Sequence, residues 1–176
     1  NYAHAVRAPN VFELFNPLTV GLTNLKTEPC VGTDVLTNAN LKAVCLAQGA
    51  PANSIGKIEK PSSAQVNIQT GGNINLKPEK ADTFTVGTVL QPLRGLSLSV
   101  DYYNIKVKDV IGAPTPGDII SACFDNLSAS SATNPACTNI RRDPSTGGLD
   151  GDPATTLGLY GLLNNLGKMK TDGIDV

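Results

Sequence analysis

The residues of this chain with the most reactive side chains are four cysteines and one histidine. Cys30 and Cys45 lie in one stretch rich in Asn, Pro, Gly and Thr, and Cys123 and Cys137 lie in a second. Their spacings match no zinc-binding pattern, because there is no CxxC pair and His4 is the sole histidine. We therefore predict disulfides, with reduced structural thiols as the alternative. Four cysteines permit three connectivities; proximity favours Cys30 with Cys45 and Cys123 with Cys137. Disulfides would imply an oxidising compartment such as the periplasm or cell surface.

From the other polar residues we predict no catalytic site, no metal site and no cofactor site. The sequence has no GxSxG nucleophile elbow and no cluster of metal-ligand residues. His4 lies in a strand-like stretch, where a lone histidine is more often structural than a ligand of haem or chelated iron. Asp150 and Asp152 lie in a Gly-rich segment typical of a turn. Two carboxylates are too few for calcium, which takes about six to eight oxygen ligands.

Composition narrows the class of protein. Of the 176 residues, 14 are Lys or Arg and 15 are Asp or Glu, so the chain lacks the basic surface expected of a nucleic-acid-binding protein. Aromatic residues make up 5% and there is no Trp, which is little for a compact soluble core of this size. The longest apolar runs are far shorter than the roughly 18 residues of a transmembrane helix.

Two long strands with a very short turn between them are predicted in the middle of the chain. Residues 78–91 and 96–111 alternate apolar and polar side chains, and residues 92–95 form the turn. A transmembrane β-strand needs about 9–11 residues, and outer-membrane barrels pair short inner turns with long outer loops. The apolar positions change parity near Tyr102 and Tyr103, which predicts a β-bulge there, and this tyrosine pair suits a membrane interface.

Long irregular connections flank the two strands. Residues 9–77 and 112–156 are predicted as loops, and residues 1–8 and 157–176 as further strands. Within the first loop, Asn38 is a suitable N-cap for a short helix that ends before Gly49. In the second loop, Pro116 suits the first position of another helix. The strand-like ends lead us to expect a fragment of a longer protein.

Several segments, in this order, resemble TonB-dependent outer-membrane receptors. Residues 7–10 (RAPN) with residues 13–15 (ELF) are similar to the "RAP…EL(F/Y)" segment of that family. Residues 75–87 (NLKPEKADTFTVG) resemble its "NLKPE…(S/A)D…(T/E)LG" strand entry, and residues 98–105 (LSVDYYNI) resemble the strand that follows. The second cysteine pair and residues 173–175 (GID) also lie in the expected order.

The resemblance implies an all-β fold: an antiparallel transmembrane β-barrel fragment of about four strands, with two long extracellular loops that carry short helices. Family members are barrels of about 22 strands with a plugged lumen in the bacterial outer membrane. They import scarce nutrients such as ferric siderophores, haem, cobalamin or some carbohydrates. The implied partners are outer-membrane lipid, the plug domain of the same full-length chain, the TonB protein and a small ligand such as a metal chelate. The plug and the N-terminal box that contacts TonB are not in this sequence.

Within such a barrel, alternation divides the two strands into a lipid-facing set and a lumen-facing set. The lipid-facing set is predicted to be Phe84, Val86, Leu90, Leu96, Leu98 and Val100. The lumen-facing set is predicted to be Thr83, Thr85, Ser97, Ser99 and Asp101. The rival interpretation places the apolar set in a buried soluble core. Asp101 separates the two, because a carboxylate is costly on a lipid face and cheap in a wet lumen.

Charged residues near the loops suggest two further roles. Arg7 and Glu79 flank the first loop, and we predict an ion pair that anchors the loop base; two separately solvated charges are the alternative. No basic cluster is strong enough to demand an anionic siderophore, although Arg141, Arg142 and the lysines of residues 57–60 could contribute positive charge to a ligand site. The sequence does not name the ligand.

Three functional classes compete at this point. The first is the nutrient receptor. The second is a secreted or surface adhesive β-domain with disulfide-stapled binding loops. The third, an extracytoplasmic hydrolase, ranks last because the sequence lacks a matched nucleophile motif.

Overall fold

The structure, a computed structural model, describes residues 1–61 and 63–176. The elements in chain order are β1 (Tyr2–Arg7), α1 (Val11–Phe15), β2 (Thr19–Asn24), α2 (Asp34–Thr37), α3 (Ala39–Ala47), β3 (Gln65–Thr70), β4 (Glu79–Leu93), β5 (Leu96–Lys108), β6 (Ile111–Gly112), α4 (Pro116–Phe124), a 3₁₀ turn (Ser131–Thr133), α5 (Pro135–Thr138), β7 (Leu159–Tyr160), β8 (Asn164–Asn165) and β9 (Lys168–Asp175). No helix among the described residues is long and apolar enough to cross a membrane.

The chain forms two compact units, each built from separate segments of the sequence. We call residues 1–15, 73–112 and 163–176 the sheet unit, and residues 16–72 and 113–162 the loop unit. The predicted loops are therefore more structured than their composition suggests, because most of their residues build a unit with its own core.

The sheet unit is an open antiparallel sheet in the order β1-β4-β5-β9. The register pairs Arg7 with Glu79 and Lys80 with Lys108, which in turn pairs with Lys168. The chain segments that leave β1 and β5 for the loop unit therefore start at the same end of the sheet. At the opposite end, Arg94 and Gly95 alone make the turn between β4 and β5. The asymmetry of long and short connections predicted from the sequence is thus a property of the sheet.

Two predicted features of the β4–β5 pair are wrong: the position of the bulge and the first residue of the turn. The β4–β5 pairing runs unbroken from Lys80 to Leu90, so there is no bulge at Tyr102 and Tyr103; the irregularity lies between Leu90 and Leu93. Pro92, which has no N–H to donate, lies in this irregular part of β4 and not in the turn.

The last predicted strand, residues 157–176, is also divided. It consists of β7, β8 and β9, with β7 in the loop unit and the other two in the sheet unit. Gly167, at a φ of 123°, separates β8 from β9 in a conformation that a side chain would disfavour. The first predicted loop likewise contains β2 and β3, which pair antiparallel, while β7 joins β3 in parallel.

The loop unit holds the buried core and both disulfides. Cys30 is bonded to Cys45 and Cys123 to Cys137, the pairing that proximity favoured. All four half-cystines are at most 3% exposed and pack with Val35, Val44, Val66, Ile140 and other aliphatic side chains in two adjoining clusters. Closing loops of this length stabilises a chain by about 3 kcal/mol in the chain-entropy model, which matters in a unit of such irregular backbone.

Both predicted helices of the loop unit are confirmed. Asn38 caps α3 by accepting from the Leu41 amide at 3.0 Å, and Gly49 takes a φ of 103° just after the helix. At α4, Thr115 and Asp118 form a reciprocal capping box in front of an apolar stripe. Asn38 and Pro116 could be predicted as start signals because they act on nearby residues only, whereas the Thr115 cap was not predicted.

Candidate functional site

The first candidate functional surface is the sheet, whose two faces differ in chemistry. Directly opposed residues of an antiparallel pair point to the same side, and the register opposes Val86 to Tyr102 and Leu90 to Leu98. The six residues predicted to face lipid therefore share one side, which we call the apolar face. The five predicted to face the lumen share the other side, the polar face.

The apolar face is not covered by any other part of the sheet unit. Phe84 is 48% exposed, Val86 55% and Leu98 42%, although each is a large apolar side chain. The rival interpretation, a buried soluble core, required these residues to lie under a second layer. In the described residues the buried clusters belong to the loop unit instead.

Glycines on the polar face make room for large neighbours. Asp101 lies opposite Gly87, and a Cβ added to Gly87 would collide with the Asp101 carboxylate. The Tyr103 ring lies over Gly173 of β9, where a Cβ would come within 2.7 Å of the ring Cζ. The small residues at these two positions therefore allow a carboxylate and an aromatic ring to lie flat on the sheet.

Both faces change character towards the end of the sheet from which the long connections leave. Beyond the Phe84–Asn104 pair, β5 places Ile105 and Val107 on the polar face and Lys106 and Lys108 on the apolar face. The sequence carried this signal as a change of parity. A continuous register shows that it is a change in the chemistry of each face and not a slip in pairing.

Arg7 joins three parts of the sheet unit at that end. Its Nε lies 2.6 Å from Oε2 of Glu79, and its two Nη atoms donate to the Glu13 carboxylate at 3.0 and 3.1 Å. The other oxygen of Glu79 accepts from the Ile111 amide at 2.7 Å. Arg7, followed by the Asn10 amide, holds the pKa of Glu13 below its ordinary value. The Arg7–Glu79 pair was predicted from the sequence; the contact of Arg7 with Glu13, only six residues away, was not.

His4 belongs to a separate side-chain group on the apolar face. Its Nδ1 lies 2.7 Å from Oδ1 of Asp82, the same oxygen that accepts from the Tyr2 hydroxyl at 2.8 Å. The Nζ of Lys108 lies 3.5 Å from Asp82 Oδ2. Among the described residues, no three His, Cys, Asp or Glu side chains are placed to hold a metal ion.

The second candidate surface is a polar cavity of about 700 Å³ in the loop unit. Four of its lining residues are charged and exposed: Lys57, Lys60, Glu59 and Asp150. The lining residues are Asn53, Ser54, Lys57, Glu59, Lys60, Ser145, Thr146, Gly148, Asp150 and Gly151. The amines and hydroxyls of this lining can donate hydrogen bonds, and its carboxylates can accept them, so it suits a polar small molecule.

Arg142 supports the wall of this cavity from behind and cannot contact a ligand, because its side chain is 0% exposed. It donates to both oxygens of Glu28 at 2.8 and 3.1 Å, to Oε1 of Gln48 at 2.8 Å and to the Gly147 carbonyl at 3.1 Å. The suggestion that Arg142 contributes charge to a ligand site is therefore wrong. Arg141, its neighbour, is exposed.

Asp143 fixes the turn that follows Arg142. Its Oδ1 accepts from the hydroxyl and amide of Ser145 and from the Thr146 amide, and its Oδ2 accepts from the Thr156 hydroxyl. These donors, the Ser145 hydroxyl first, hold the pKa of Asp143 well below its ordinary value. The predicted Gly-rich turn thus has a defined shape. Asp152 accepts from the Ala154 amide, and Asp150 lines the cavity.

With the two-faced sheet and the disulfide-bonded loop unit described, comparison with known proteins identifies the family. The family model "TonB dependent receptor-like, beta-barrel" matches residues 1–176. The chain belongs to the TonB-dependent receptor family. Members of this family are transporters and not enzymes, which is the class that the sequence predicted.

Other comparisons add little to the family. No curated protein matches the chain. Among solved structures, the siderophore receptor PirA from Pseudomonas aeruginosa is similar at 17% sequence identity, with a TM-score of 0.44. The match covers 98% of this chain and 20% of that receptor, so the chain spans about a fifth of the receptor's length.

Proposed function

We propose that this chain is a wall segment, with its extracellular loops, of an outer-membrane receptor that imports a scarce nutrient such as a ferric siderophore. In this proposal the sheet unit is part of a transmembrane barrel, and the loop unit faces the ligand. The plug domain of the longer receptor fills the lumen, and the TonB protein supplies energy through a box near the receptor's N-terminus. The observation that carries the proposal is the uncovered two-faced sheet in a chain that matches the receptor family throughout.

The chemistry of the two faces supports the assignment of lipid and lumen. Transferring a large aliphatic or aromatic side chain from water to an apolar environment stabilises a protein by about 1.5–3 kcal/mol, which the bilayer would supply for Phe84, Val86, Leu90 and Leu98. Asp101 lies on the opposite side, where a plug and water would solvate it. An open edge in lipid would leave backbone groups unpaired, so β1 and β9 must pair with further strands of the longer receptor.

Site-directed spin labelling tests which face of the sheet meets lipid. We expect a nitroxide at Leu98→Cys in the full-length receptor to be accessible to oxygen dissolved in the bilayer and protected from a water-soluble nickel chelate. The neighbouring Ser99→Cys label is the matched control and should show the opposite preference. Equal accessibility of the two labels, or a reversed order, would contradict the wall assignment.

The cavity of the loop unit is our candidate for first contact with the ligand. Lys57 and Lys60 are its exposed cations and Glu59 and Asp150 its exposed carboxylates, so the lining suits a polar ligand with both hydrogen-bond donors and acceptors, such as a metal chelate. Growth of a receptor-deleted strain that carries the full-length gene, supplied in turn with iron chelates, haem, cobalamin and oligosaccharides, would identify the nutrient.

A matched pair of variants tests the role of the cavity in uptake. We expect Lys57→Ala with Lys60→Ala to weaken uptake at low ligand concentration and to leave uptake at saturation nearly unchanged. Lys42→Ala removes an exposed lysine of α3 outside the cavity and should behave as wild type. Uptake that persists unchanged without TonB would refute energised import.

A further inference from the structure

Five lysines form a compact group on the apolar face of the sheet, above its apolar band. Lys80, Lys108 and Lys168 are opposed in one row across β4, β5 and β9, and Lys106 and Lys170 are opposed in the adjacent row. All five are exposed. We call this group the lysine patch.

Such an arrangement is unfavourable unless anions accompany it. Neighbouring strands lie about 4.8 Å apart, and like charges directly opposite each other destabilise a sheet. In the part of the chain that the structure describes, two carboxylates share this face near the patch: Asp82, opposite Lys106 in the register, is 3.5 Å from Lys108, and Asp172 is 3.2 Å from Lys170. Among the described residues, Lys80, Lys106 and Lys168 have no carboxylate within ion-pair distance. The patch therefore has an excess of positive charge and several free N–H donors.

The position of the patch indicates that the anion is a lipid headgroup. The Phe84–Asn104 pair, with Tyr2 opposite Phe84, separates the lysine rows from the apolar residues below. The Tyr2 hydroxyl donates a hydrogen bond to Asp82. The Tyr102 hydroxyl, one row further down, accepts a hydrogen bond from the Asn104 side-chain amide at 3.4 Å. Aromatic rings with hydrogen-bonded hydroxyls mark the level at which hydrocarbon meets headgroups. The lysine amines then lie at the level of lipid phosphates.

We propose that the lysine patch binds the phosphate groups of phosphorylated lipid headgroups in the outer leaflet around the receptor. This inference rests on the proposed function, because it requires the apolar face to meet the bilayer. Opposed lysines in a row are close enough to donate to one phosphate together, and the two rows suit a headgroup that carries more than one phosphate. The Asp82 group, with Tyr2 and His4, borders the patch on the β1 side.

Native mass spectrometry of the full-length receptor in detergent tests this proposal, with bis-phosphorylated lipid A, its monophosphorylated form and phosphatidylcholine as probes. We expect retention in that order for the wild-type receptor. Each lysine near an anionic lipid contributes about 1 kcal/mol, so Lys106→Gln with Lys170→Gln should weaken binding of the bis-phosphorylated lipid about thirtyfold. Lys26→Gln with Lys42→Gln removes two exposed lysines of the loop unit and should retain wild-type binding.

The outcomes separate this inference from the proposed function. If the Leu98 label is in lipid and the patch variant binds as wild type does, the inference is overturned and the wall assignment stands. If the Leu98 label is in water, both fail. An equal loss of lipid binding in the Lys26→Gln, Lys42→Gln control would show a non-specific charge effect and overturn the inference. Displacement of the lipid by an equal concentration of inorganic phosphate would also overturn it.

Discussion

Replacing Arg142 should open part of the loop unit, and the size of the effect follows from its contacts. The side chain makes four hydrogen bonds, two of them to the Glu28 carboxylate. In Arg142→Met, the Cys30 amide is the one partner left to that carboxylate among the described residues, while the Glu28 side chain is 4% exposed. Removing one partner of a buried ion pair costs about 3–5 kcal/mol, because the other charge is left without compensation.

Hydrogen–deuterium exchange of the full-length receptor measures this loss locally. At 1.4 kcal/mol per factor of ten, amides of residues 142–149 should exchange about 150- to 4,000-fold faster in the variant, provided that they exchange by opening of the loop unit. Arg141→Met is the matched control, because Arg141 is exposed and next in sequence. It should change exchange by less than a factor of about three.

A second variant separates the loss of pairing from the loss of side-chain packing. Glu28→Met added to Arg142→Met removes the stranded charge and should recover part of the protection, although the Cys30 amide then lacks its acceptor. If Arg142→Met exchanges no faster than Arg141→Met, or the double variant is no better protected than the single one, the ion pair does not stabilise this part of the loop unit.

Three further predictions concern the same unit. Because the pKa of Asp143 is depressed in the fold, its contribution to stability is present above the ordinary value of 3.8 and is lost as pH falls below it. Asp143→Asn should therefore flatten the acid limb of exchange protection measured against pH, and an unchanged limb would contradict this. In Gly158→Ala, the new Cβ would collide with the Asn67 carbonyl. The loss of exchange protection in the loop unit should therefore exceed that of Gly32→Ala, because Gly32 also has a positive φ but lies in open surroundings. Thr115→Ala removes the capping box of α4 and should cost about 1 kcal/mol, seen as faster exchange in the first turn of that helix only.

The proposed role in a barrel wall would account for the exposed apolar surface of the sheet. A sheet with uncovered Phe84, Val86 and Leu98 would be a liability in a soluble protein, since large apolar patches promote association. The same surface suits a barrel wall. The core of this chain lies in the loop unit instead, where two disulfides compensate for short helices and irregular backbone.

Local rules allowed several features to be predicted from the sequence. Alternation along β4 and β5 separated the apolar set from the polar set, because successive side chains of a strand point to opposite faces whatever the strand packs against. Asn38 and Pro116 marked helix starts, because an N-cap acts on amides two or three residues away and proline suits the first position of a helix. The family could be recognised because its motifs follow each other in order.

Only the tertiary structure decided which distant residues meet. Arg142 and Glu28 are 114 positions apart, and no local pattern distinguishes this buried arginine from exposed Arg141 beside it. Pairing also decided the meaning of the parity change at Tyr102 and Tyr103, because a bulge and a change of face have the same sequence pattern and differ only in register. The sequence determined what each short segment can form, since those preferences act over a few residues. The fold decided which charges are buried, paired or grouped into the lysine patch, because these depend on contacts between segments that the sequence does not place side by side.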